Sequence, residues 1–159
     1  FDFDAEKLLQ TFREKFGGKW RLFVRLHPCM NDVDKVINFN KLLMTNLTNY
    51  SDVQELLHIS DILITDYSSV MFDFMLTRRP CFLFATDVDT YDRGTYIDIN
   101  KLPFPLAENN RELIQNVENF DESIYLSDLQ QFENYVLQSF ENGTAAFKVA
   151  DYIAEIISN

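Results

Sequence analysis

Apolar residues Ala5, Leu8, Leu9, Phe12 and Phe16 recur three or four positions apart, the period of one helix face, and Gly17-Gly18 ends that pattern. The run Arg21 to Leu26 (RLFVRL) reads as a strand closed by His27-Pro28, and a second short strand is predicted around Leu42 to Leu47. Ser51 with Gln54, and Asp52 with Glu55, form overlapping capping boxes for a helix through His58. Ile62 to Thr65 (ILIT) is a buried-type strand, followed by Asp66-Tyr67-Ser68-Ser69 and a helix to about Leu76. Pro80 to Ala85 (PCFLFA) is another buried strand. Residues 86–108 then read as a long loop, and helices are expected over 109–119, 126–140 and 144–158. Leu126, Leu129, Phe132, Val136 and Phe140 mark the apolar face of the middle one. Strands alternating with helices predict an α/β fold, a Rossmann-like parallel sheet of four or five strands with helices on both faces.

Composition supports one globular domain. The chain has 159 residues, of which 47% are hydrophobic and 25% charged, with fifteen Phe and seven Tyr to fill a core. There is no repeat and no Pro/Gly/Ser-rich linker. No apolar run approaches the roughly 18 residues of a membrane helix. The N-terminal FDFDAEKLLQ lacks the layout of a signal peptide, so the expected location is cytoplasmic, with Cys29 and Cys81 read as reduced core thiols and a disulfide between them as the alternative. A net charge of −11 argues against nucleic acid as a partner. That charge is uneven: residues 1–80 carry 10 basic and 11 acidic side chains, residues 81–159 carry 4 and 14. An anionic ligand is therefore expected on the near-neutral first half.

In an open parallel sheet, ligands bind beyond the carboxyl ends of the strands. Three clusters fall there: His27-Pro28, Thr65-Asp66-Tyr67-Ser68-Ser69, and the segment from Thr86 to Arg93-Gly94. Asp66, Ser68 and Ser69 suit a helix N-cap, and they equally suit a phosphate held by backbone N–H groups, the helix dipole and two hydroxyls. Asp73, seven residues after Asp66, is placed two turns along the same helix, as a partner for a ribose hydroxyl or as a solvated carboxylate. His27 is a candidate general base or phosphate-stabilising cation. Arg93 suits forked contacts to phosphate oxygens, and Gly94 lets the backbone approach a ligand. His58 reads as solvated, and Arg78-Arg79 as a charge pair against the C-terminal dipole of its helix. Asp87-Val88-Asp89 matches a metal-binding DxD only nominally and reads as loop; no metal ligand set is expected.

Taken in order, RLHP, TNYSDVQELLHISDILITDYSSVMFDFMLTRRPCFLF and DVDTYDRGTYID resemble the CDP-glycerol glycerophosphotransferase family, the TagF/TagB-type teichoic acid and capsule polymerases. The likeness runs from about Arg21 to Asp98 and more loosely to about Phe147. It implies the C-terminal, nucleotide-binding half of a GT-B-type fold, with the N-terminal acceptor half and its own catalytic histidine outside the chain. By the same likeness His27 matches a histidine needed for activity, and Asp66, Ser68 and Ser69 lie at the donor's phosphates. The implied reaction transfers glycerol phosphate from CDP-glycerol to a polymer hydroxyl and releases CMP, with no cofactor, in an enzyme peripheral to the cytoplasmic face of the membrane. Two rivals stand beside it. Nucleotide-sugar glycosyltransferases and 2-epimerases of this architecture carry a Gly-rich turn where this chain has Tyr67-Ser68-Ser69. A non-catalytic nucleotide-binding module would use the Asp66 cluster as a cap alone.

Overall fold

The computed structural model describes residues 3–26, 43–91, 94, 96–138 and 143–158. Helix α1 (Ala5–Phe16) starts where the Asp4 carboxylate accepts the Lys7 N–H, and ends at Gly17, whose φ of 73° suits glycine. Its buried face, Ala5, Leu8, Leu9, Thr11 and Phe12, is the predicted stripe, and Thr11 satisfies its hydroxyl on the Lys7 carbonyl. Phe16 is the exception, with 37% of its surface exposed beside Trp20 and Phe120. Strand β1 (Leu22–Val24) pairs in parallel with β2 (Met44–Asn46), Leu22 opposite Met44. Helix α2 (Val53–Ile59) is capped by Asp52, which accepts from the N–H groups of Gln54 and Glu55.

A second parallel sheet follows, in the order β3 (Leu63–Thr65), β4 (Cys81–Phe84), β5 (Leu106–Ala107). All four residues of the central β4 are buried, as a strand covered on both faces must be. Around it gather Phe74 and Met75 of α3 (Val70–Met75), Leu113 and Val117 of α4 (Asn110–Glu118), and Leu129 and Phe132 of α5 (Glu122–Phe132). The expected α/β class and parallel pairing are present, and the strand count is five among the described residues. Cys81 is a buried free thiol, raised well above its ordinary pKa by burial. Cys29 lies outside the described residues.

Three expectations are corrected. The loop at 86–108 contains β5 and two short 3₁₀ turns, Val88–Thr90 and Ile99–Lys101. Strand β5 is only two residues long and directly follows Pro103-Phe104-Pro105, so it lacks a strand's usual run of signals. The inward face of α5 holds Tyr125, Leu129 and Phe132, while Leu126 and Val136 are exposed; Phe140 lies outside the described residues. Tyr125 turns inward because its hydroxyl donates to the Arg79 carbonyl (3.0 Å) and accepts the Cys81 N–H (3.1 Å), joining α5 to the start of β4. Beyond Phe132 the helix continues as a π turn to Leu137, which shifts the face before position 136.

The third correction concerns the two arginines. Arg78, at a left-handed φ of 61°, pairs with buried Glu133 at 2.7 Å. Arg79 donates to the carbonyls of His58 and Ser60 at the C-terminal end of α2, and its guanidinium lies 5.2 Å from the centre of the Phe74 ring. Both therefore join elements rather than offset the dipole of α3. The last helix, α6 (Ala145–Ser158), buries no residue and exposes Phe147, Ile153, Ile156 and Ile157. Among the described residues no helix is long and apolar enough to cross a membrane.

Candidate functional site: the carboxyl ends of β3 and β4

Parallel pairing of β3 with β4, Thr65 opposite Leu83, brings the two strand ends side by side. Thr65 is the last residue of β3 and half-buried; Asp66, Ser68 and Ser69 follow it in an exposed turn. Helix α3 starts only at Val70, so Asp66 precedes the helix that carries Asp73. Asp73 is exposed in the helix's first turn.

Capping accounts for little of this turn. Ser69 occupies the N-cap position without a side-chain hydrogen bond, and Ser68 Oγ accepts from the Val70 N–H at 3.5 Å, the outer limit of such a bond. The backbone does the work instead, with the Ser68 and Ser69 carbonyls accepting from Met71 and Phe72. The Ser69 hydroxyl and the N–H groups of Ser68 and Ser69 have no partner among the described residues. These are spare donors at a strand end, as an oxyanion ligand requires.

On the β4 side, Asp87 follows Ala85-Thr86 and leads into the first 3₁₀ turn. The Tyr67 hydroxyl donates to Asp87 Oδ1 at 2.9 Å. The Tyr67 and Tyr91 rings stack with centroids 3.7 Å apart and planes 17° from parallel. Burial, then the Asp87 bond, holds the Tyr67 phenol well above its usual pKa, so it stays a donor. The loop after β4 is thus fastened to the serine turn, a contact absent from the sequence reading, which took Asp87 as plain loop. The signal was an aromatic residue set between an Asp and two Ser, with another Tyr beyond the next strand. Gly94 is exposed at a φ of 68°. His27 and Arg93 lie outside the described residues.

Two open grooves lie away from this edge. One, of about 630 Å³, is lined by Phe104, Phe120, Tyr125 and Phe132; the other, of about 650 Å³, by Gly17, Trp20, Ile62 and Pro80. Ile62 and Pro80 precede β3 and β4, so the second groove sits at the opposite strand ends. Among the described residues no group of three His, Cys, Asp or Glu is placed to hold a metal ion.

The profile of the CDP-Glycerol:Poly(glycerophosphate) glycerophosphotransferases matches residues 1–155. The chain belongs to that family. Its relatives include the teichoic acid poly(glycerol phosphate) polymerase of Staphylococcus epidermidis, 32% identical over 95% of this chain and 22% of the polymerase. The teichoic acid glycerol-phosphate transferase of Staphylococcus aureus is 34% identical over 77% of this chain and 32% of its own length. In three dimensions the chain is similar to the wall teichoic acid polymerase TagF, at a TM-score of 0.69 and 31% identity, over 99% of this chain and 39% of that one. The expected family, and a parallel α/β fold corresponding to part of a GT-B-type fold, are thereby established. It spans between about a fifth and two-fifths of these relatives' lengths.

Proposed function

We propose that this chain is the donor-binding domain of a CDP-glycerol:polymer glycerophosphotransferase, a cytoplasmic enzyme peripheral to the membrane. The observation that carries the reading is the serine turn at the carboxyl end of β3, with donors uncommitted to the helix, in a chain of this family. A soaked TagF variant is described with CDPG, and a TM-score of 0.68 relates its fold to this chain.

In the proposed step an acceptor hydroxyl attacks the phosphorus bonded to glycerol. The new O–P bond forms as the bond from that phosphorus to the CMP oxygen breaks. Charge grows on the equatorial phosphoryl oxygens and on the departing CMP. The hydroxyls of Ser68 and Ser69 and their N–H groups stabilise that charge, and Arg93 and Gly94 are assigned to the same phosphates. Thr65 and Asp66 are assigned with the serines to the donor's phosphates, and Asp73 to a ribose hydroxyl. His27 either takes the acceptor proton or stabilises the phosphoryl group. No cofactor or metal enters this step. The acceptor polymer is assigned to a further half of the enzyme.

Calorimetric titration of the chain with CDP-glycerol, CMP and UDP-glucose tests the reading. CDP-glycerol is expected to bind more tightly than UDP-glucose. The opposite order would favour a nucleotide-sugar transferase, and no nucleotide binding at all would refute the donor site. With a polymer primer, the 159-residue chain alone is expected to release no CMP.

A further inference from the structure

Asp87 stands one hydrogen bond from the serine turn, yet it is the wrong charge for a phosphate. A carboxylate beside a pyrophosphate repels it. Asp87 is exposed, and a carboxylate merely tolerated there would hang unpaired in water. Asp87 is instead fixed: Oδ1 accepts the Tyr67 hydroxyl, and the Tyr67 ring is held in turn by its stack on Tyr91. Two half-buried aromatic rings and a directed phenol fix the carboxylate, while Oδ2 has no partner among the described residues. An anchored acceptor with one unused oxygen suits a ligand group that donates hydrogen bonds. Near the phosphates of a nucleoside diphosphate polyol, those groups are the hydroxyls of the ribose and of the polyol.

We propose that Asp87 is a binding residue for a donor hydroxyl, and that Tyr67 is the positioning residue that aims it. This rests on the donor-binding reading above. The hydroxyl belongs either to the ribose or to the transferred polyol, and both present the same diol chemistry to a carboxylate.

The test is calorimetry on this chain with CDP-glycerol and with CDP, using Asp87→Asn, Tyr67→Phe and the double variant. Tyr67→Phe keeps the ring for the stack on Tyr91 and removes only the hydroxyl. Asp87→Asn is expected to weaken CDP-glycerol at least about tenfold, the scale of a hydrogen bond to a charged group. A bystander carboxylate predicts the reverse, because removing a negative charge beside a pyrophosphate tightens binding. Loss on CDP-glycerol with CDP unchanged assigns the polyol hydroxyl, and equal loss on both assigns the ribose. Tyr67→Phe is expected to weaken the same ligand by a smaller factor, and the double variant to bind no worse than Asp87→Asn.

Affinity for CDP-glycerol that is unchanged or higher in Asp87→Asn overturns the assignment of Asp87 and leaves the donor site standing. Additive losses in the double variant overturn the positioning role of Tyr67. Failure of the unsubstituted chain to bind CDP-glycerol removes the donor-binding reading itself, and this inference with it.

Discussion

Replacing Ser68 and Ser69 together by Ala separates phosphate binding from helix capping. The structure sets the stability cost low, because Ser69 makes no side-chain cap bond and the one made by Ser68 is 3.5 Å long. An exposed substitution of this kind changes stability by no more than about 0.5 kcal/mol, a melting shift within about 2 °C in a chain of this size. Two working caps would cost about 1 kcal/mol each. On the ligand side, each lost hydrogen bond to a charged phosphate oxygen is worth about 1.5–3 kcal/mol, or roughly 10- to 150-fold in affinity. CDP-glycerol is therefore expected to weaken by at least tenfold per hydroxyl that contacts it, while cytidine, which has no phosphate, is unaffected. Calorimetry with both ligands, beside a thermal melt, reads the two effects separately. Equal loss for both ligands refutes the argument, and so does a melting point lowered by more than about 4 °C with affinity unchanged.

Tyr125→Phe leaves the buried Cys81 N–H without its acceptor and is expected to cost about 1–3 kcal/mol in urea unfolding at constant m-value; a loss under 0.3 kcal/mol would show the bond to be dispensable. Arg78→Gly and Arg78→Ala both remove the Glu133 ion pair, but Ala retains the left-handed backbone penalty, so Arg78→Ala is expected to be the less stable by about 1 kcal/mol in the same assay. Burial raises the folded-state pKa of Cys81 above its ordinary value of 9.0. The folded state then holds that proton more tightly than the unfolded one, so its stabilising contribution is complete below pH 9.0 and is lost as pH rises beyond it. The urea midpoint should fall above that pH, and Cys81→Ala should reduce the slope.

Local chemistry made much of the fold legible. Asp52 with Glu55, and Gly17 after an apolar stripe, mark helix ends through groups only a few residues apart, and those ends are where the sequence puts them. Strands β3 and β4 announce themselves as short unbroken apolar runs. What escaped depends on distant partners. Strand β5 is defined by its pairing with Leu83 and Phe84 rather than by its own two residues. The inward turn of Tyr125 is set by backbone groups of Arg79 and Cys81, more than forty positions earlier. The serine turn was legible as a strand end because the apolar run and the hydroxyls after it are both visible in a string of letters. Its tie to Asp87 was not, because that bond spans twenty residues and an intervening strand.

Helix α6 has a bearing on how the protein is handled. Fourteen residues that bury nothing contribute no core. A version ending at Gln138 should therefore melt at nearly the same temperature. It would shed the exposed side chains of Phe147, Ile153, Ile156 and Ile157, whose apolar surface favours self-association at the concentrations calorimetry needs. Among the described residues the buried core closes with α5 and its π turn, where Leu137 is the last side chain packed against it.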